Sequence, residues 1–150
     1  MYAIISKLDD NSSDAVREIW RKLQTVCGIK AIYKIPTPHL SWYVTEELDV
    51  KGSASLLSQI AQDSRPIFTH SFGLGIFSGP KPVLYLPLVK SIEMIELHAK
   101  VLGQIQPLST GGQQYYSYDF WLPHITLALY DLTRENIACA INSIAFEQIE

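Results

Sequence analysis

A chain of 150 residues, 47% hydrophobic and 18% charged, is long enough to bury one core and too apolar to be disordered or fibrous. The formal net charge is −3 and the 12 Lys and Arg residues are scattered, so the sequence offers no basic stripe to track a long nucleic-acid backbone. A small phosphorylated ligand or the end of a strand is still compatible with it. No apolar run approaches a membrane span, and Met1 to Lys7 lacks the long apolar stretch of a signal peptide.

Residues 2–8 alternate and read as a strand. Asn11-Ser12-Ser13 offers an N-cap. Val16, Ile19, Trp20, Leu23 and Cys27 then recur at helical spacing, predicting an amphipathic helix over about 13–27 that stops at Gly28. A second strand is expected over about 38–45. Leu56, Leu57 and Ile60 mark a helix near 52–63. Residues 66–77, rich in Phe, Ile and Thr, read as a strand. Gly79-Pro80-Lys81-Pro82 is a turn, and Val83 to Leu88 returns as another strand. Ile92, Ile95, Ala99 and Leu102 give a helix near 91–105. A loop from Gln106 to Phe120 carries Gly111, Gly112 and three tyrosines. It is followed by a strand at about 123–130, a helix at about 133–143 and a last short strand near 145–149.

The order is β-α-β-α-β, then β-α-β-α-β, with the break at Gly79-Pro80. The expected fold is α+β: a single domain over 1–150 with two lobes, about 1–79 and 80–150. Internal repetition of this kind implies a pseudo-two-fold axis, with two mainly antiparallel sheets around a central cleft and equivalent strands facing each other across it.

The repeat extends to chemistry. Pro38-His39-Leu40-Ser41-Trp42-Tyr43-Val44 recurs in kind as Pro123-His124-Ile125-Thr126-Leu127-Ala128-Leu129. Alternate side chains of a strand share a face, so each copy sets an imidazole beside a hydroxyl. Leu40, Trp42 and Val44, or Ile125, Leu127 and Leu129, fill the other face. By the same alternation Tyr43 joins His39 and Ser41, and Tyr130 joins His124 and Thr126 across the small Ala128. A tyrosine ring there can stack on a base or bond to a phosphate.

Two imidazoles flanking a phosphorus centre can act as base and acid. In this arrangement His124 would activate water and His39 would protonate the leaving oxygen. Ser41 and Thr126 would donate hydrogen bonds to the non-bridging oxygens, where charge develops. No metal or other cofactor is required. Zinc sites use three or four strong ligands, and each motif here supplies one.

His39-Leu40-Ser41 and His124-Ile125-Thr126, one in each half, resemble the paired His-x-Ser/Thr signature of the two-histidine (2H) phosphoesterases. That group includes the LigT-like 2′-5′ RNA ligases and cyclic nucleotide phosphodiesterases. The resemblance implies a metal-independent phosphoesterase acting on 2′,3′-cyclic phosphates or 2′-5′ phosphodiesters of nucleotides or RNA ends. It implies His39 and His124 as catalytic residues, with Ser41 and Thr126 steadying the phosphate. A binding module that holds a nucleotide in the same cleft without turnover is the alternative. The expected partner is a small nucleotide or RNA end, with no extended nucleic-acid surface, no membrane and a monomeric chain.

The remaining candidates read as structural. His70 shares a face with Phe68, Phe72 and Leu74, the setting of a satisfied structural histidine. His98, near Met94 and Ile95, reads as a partly exposed helix residue, and Lys34 as a solvated lysine. The Gln106 to Phe120 loop is either a flap over the ligand or a plain crossover. Cys27 and Cys139 read as two buried, reduced thiols, which makes the cytoplasm the expected compartment.

Overall fold

The alternating start of the chain forms β1 (Tyr2–Lys7), and the helical repeat after it forms α1 (Asp10–Cys27). A computed structural model describes residues 1–146. The cap of α1 is Asp9, whose carboxylate accepts from the Ser12 amide at 3.0 Å; it stands two residues before the expected Asn11-Ser12-Ser13 cap. A carboxylate at the cap also meets the positive end of the helix dipole, which an Asn or Ser does not exploit. Gly28 ends the helix at φ 72°, and its amide reaches the Gln24 carbonyl. That left-handed cap suits glycine.

A 3₁₀ turn (Ala31–Lys34) leads to β2 (His39–Thr45). Then come β3 (Glu47–Leu48), α2 (Val50–Asp63), β4 (Gly75–Phe77), β5 (Val83–Pro87) and α3 (Ile92–Ile105). β6 (Ser109–Thr110), β7 (His124–Ala128) and α4 (Ile137–Ile144) complete the set. The fold is α+β, with a five-stranded antiparallel sheet in the order β1-β2-β7-β5-β4 and a two-stranded β3-β6 sheet.

The chain divides into two compact units of interleaved segments. The first takes residues 1–6, 41–69 and 89–123. Its core includes Ile60 of α2, Met94, Val101, Leu102 and Ile105 of α3, and Trp42 stacked on Trp121. The second takes residues 7–40, 70–88 and those from His124 onward. There Ile19, Trp20 and Leu23 of α1, Leu84 and Leu86 of β5, Ile125 and Leu127 of β7, and Ala140 and Ile144 of α4 are buried. Each such large aliphatic side chain contributes about 1.5–3 kcal/mol on burial.

Three expected features of the fold change. The two histidine strands do not face each other from separate sheets, because β2 and β7 are hydrogen-bonded neighbours in one sheet. A repeated pattern shows that each strand has an apolar face; it does not say whether the strands meet edge to edge or face to face. The expected strand over 66–77 shrinks to Gly75–Phe77, with one isolated bridge from Ser71 to Leu88. Upstream, Phe68 and Phe72 are 91% and 76% exposed, so composition alone made that stretch look like a strand. Cys27 and Cys139 are joined in a disulfide with Cα atoms 5.8 Å apart. Helical periodicity put each on its own apolar face but could not show that α1 and α4 pack together. The cytoplasmic expectation loses the reduced thiols on which it rested. The last expected strand, near 145–149, lies outside the described residues except for a turn at 145–146.

Candidate functional site

Each motif enters its strand from a fully buried proline, Pro38 or Pro123. Proline has no amide to donate, so it suits the position just before a strand. In β2 and β7 the burial alternates from that point. Leu40 and Ile125 are buried, while His39, Ser41, His124 and Thr126 are partly exposed. Leu40 pairs with Ile125 across the antiparallel ladder. The same register sets His39 opposite Thr126, and strand alternation turns both away from the Leu40–Ile125 face. His124, two residues before Thr126, takes that face too. His39 and His124 are therefore diagonal neighbours, roughly 7–8 Å apart by strand geometry. Both belong to the second unit. Ser41 follows His39 by two residues and shares its face of β2.

Thr126 in turn pairs with Tyr85 of β5, and Tyr85 with Gly75 of β4. One transverse row thus runs His39, Thr126, Tyr85, Gly75. The register shifts between Leu84 and Tyr85, leaving Leu127 as an extra residue on β7. Such a bulge bends the strand and re-aims its side chains. Beside it, the Trp20 indole donates to the Thr126 carbonyl at 3.1 Å and anchors this stretch from α1.

The His39 ring is oriented by its own chain. Nδ1 lies 2.8 Å from the Thr37 carbonyl. A carbonyl only accepts, so Nδ1 carries the proton in the neutral ring and Nε2 does not. The approach to β2 is also tied down. The Asp131 carboxylate accepts from the Lys30 and Ala31 amides, both at 2.7 Å. His124 packs edge-on against two rings, with Phe77 and Tyr85 centroids at 4.9 and 5.1 Å. Sequence reasoning missed both aromatics; the signal was present in Gly75, whose missing side chain makes room for a ring.

Ser41 is gripped from within the first unit. Its carbonyl accepts from the Trp121 indole at 3.0 Å. Burial pushes the Tyr116 phenol up, and the Ser41 side chain partly offsets this. Tyr116 lies in the Gln106 to Phe120 segment, which is pinned rather than loose. Gln113 donates to the Val44 carbonyl at 2.9 Å, and Thr45 donates to the Thr110 carbonyl at 2.7 Å.

Tyr43 and Tyr130 sit differently from one another. Tyr43 is buried, and its hydroxyl bonds to Ser109 Oγ at 2.9 Å. Tyr130 is 60% exposed at φ 73°, beyond the end of β7. Lys34 and His70 are exposed, and His70 stacks on Phe72. His98 is buried rather than partly exposed. It stacks on Trp121 at 3.9 Å, and its Nε2 donates to the Tyr116 carbonyl at 3.1 Å. Burial, helped by the Lys90 charge, lowers its pKa to about 4. The residues after α3 cover that helix face, which helical periodicity could not foresee.

Among the described residues, no group of three or more His, Cys, Asp or Glu could hold a metal ion, and no helix is long and apolar enough to cross a membrane. None of the curated proteins compared matches the chain. A family model of the 2′-5′ RNA ligase superfamily matches residues 9–147, a span that includes both His-x-hydroxyl strands. With nearly the whole chain matched and the two motifs on adjacent strands, this protein belongs to the 2′-5′ RNA ligase superfamily of 2H phosphoesterases.

Proposed function

We propose that this chain is a metal-independent phosphoesterase that opens 2′,3′-cyclic phosphates or cleaves 2′-5′ phosphodiesters of nucleotides or RNA ends. Membership in the superfamily implies phosphoesterase chemistry. The observation that carries the finer reading is the Leu40–Ile125 pairing. It supports two imidazoles on one sheet face at a diagonal spacing that accommodates a phosphoryl group.

In this reading His124 takes a proton from water as the water oxygen bonds to phosphorus. The bond from phosphorus to the leaving ribose oxygen breaks, and His39 Nε2 delivers a proton to that oxygen. The Thr37 carbonyl on Nδ1 supports this role, because it fixes the ring so that Nε2 is the nitrogen left to face the leaving oxygen. The hydroxyls of Thr126 and Ser41 donate to the non-bridging oxygens. Of the two tyrosines, Tyr130 has the ring open to a substrate, whereas Tyr43 supports the site by packing.

The test is a panel of 2′,3′-cyclic nucleotides, 2′-5′ dinucleotides and other cyclic phosphates, run with and without chelator beside calorimetric binding. Turnover of the first two groups that persists in chelator is expected. Binding without turnover of any member would turn the reading into a nucleotide-binding module.

A further inference from the structure

The aromatic pair beside His124 has a layered construction. Gly75 has no side chain, and a Cβ there would fall 2.3 Å from the Tyr85 ring. Tyr85 therefore lies flat over the β4 backbone and is 7% exposed. Phe77 stacks on it, with centroids 4.1 Å apart and planes 24° from parallel. His124 meets both rings close to edge-on, at 79° to Phe77 and 60° to Tyr85. Phe77 remains 37% exposed. Among the described residues β4 is the last strand of its sheet.

A residue that only filled the core would bury both faces of its ring. Here one face rests on Tyr85, and the ring keeps a solvent-open surface within one ring's width of a histidine assigned to the phosphate. In a nucleoside 2′,3′-cyclic phosphate, a single ribose separates base from phosphate. The geometry points to Phe77, backed by Tyr85 and seated on Gly75, as a shelf on which the base of a nucleotide substrate stacks. This inference rests on the phosphoesterase reading and assigns the residues that hold the base of its substrate. Stacking reads the π-face and not the base edge, so the shelf accepts any base and favours the larger purines.

The experiment compares adenosine 2′,3′-cyclic phosphate with base-free glycerol 1,2-cyclic phosphate on wild type, Phe77→Leu and Phe77→Trp. Phe77→Leu is expected to lower the adenosine-to-glycerol ratio of kcat/KM by about tenfold or more, mostly through KM, as loss of a base–aromatic stack implies. Phe77→Trp should retain the ratio. Equal losses on both substrates, or no loss, would overturn the shelf. Calorimetry with adenosine 2′-monophosphate separates the two readings. If wild type turns over neither substrate but Phe77→Leu binds the monophosphate about tenfold more weakly, the catalytic reading fails and the shelf stands. If wild type binds no monophosphate, both fall.

Discussion

The Trp121 indole donates to the Ser41 carbonyl at 3.0 Å, so the segment after α3 reaches a residue of the first His-x-hydroxyl motif. The Ser41 side chain also offsets part of the upward push of burial on the Tyr116 phenol. Removing the phenol hydroxyl takes that neighbour from the serine while leaving the ring in its packing. Tyr116→Phe should lower kcat/KM about fivefold, the equivalent of one ordinary hydrogen bond. Combined with Ser41→Ala, it should add almost nothing further. Steady-state kinetics on the double-mutant cycle checks this; additive losses would mean that Tyr116 acts elsewhere.

Gly75 is required by a close approach. A methyl group there meets the Tyr85 ring at 2.3 Å, and that ring underlies Phe77 and flanks His124. Gly75→Ala should cost roughly 1–3 kcal/mol, as overpacking does. Denaturant unfolding reads the loss. Gly103, where an added Cβ meets nothing, supplies the control: Gly103→Ala in α3 should be neutral or stabilising.

The Cys27–Cys139 disulfide closes a separation of 112 residues between α1 and α4. A loop of that length restricts the unfolded chain by about 3–5 kcal/mol. Reductant, or the Cys27→Ser/Cys139→Ser pair, should lower Tm by roughly 10 °C. Thermal melts with and without reductant measure it, and a Tm that does not move would show that the thiols are free in solution.

His98 makes stability depend on pH. Its folded pKa, about 4, lies below the ordinary 6.5, so the unfolded chain binds the proton more readily. The histidine's contribution is therefore full above 6.5, declines as pH falls from there, and levels off near 4. Unfolding free energies measured across that window should rise with pH in the wild type. The slope should flatten in His98→Phe, which retains a ring on Trp121.

Much of this site is legible in the sequence, and the remainder fails for a common reason. His39, Ser41, His124 and Thr126 are readable because strand alternation is local and both motifs obey it. The helices α2 and α3 are readable from apolar spacing, within a residue or two of their ends. Contacts between distant segments are not readable. The edge-to-edge pairing of β2 with β7, the cover over His98 and the cysteine bond all depend on which elements become neighbours. Tyr43 shows the same limit. Alternation put it with His39, yet its hydroxyl is claimed by Ser109. The Phe77–Tyr85 stack was hidden because Gly75 read as one more residue of the strand over 66–77, and a pattern along one strand does not show which ring lies over it.

The central claim is that His39 and His124 act together on one phosphoryl group. The most direct measurement is kcat for the best cyclic nucleotide with wild type, His39→Ala and His124→Ala. Each variant should lose at least about 100-fold, the low end of acid–base catalysis, while keeping the wild-type melting curve. With a substrate whose leaving oxygen needs no proton, His39→Ala should recover most of its rate and His124→Ala should not. A folded variant of either kind that keeps wild-type kcat would contradict the account.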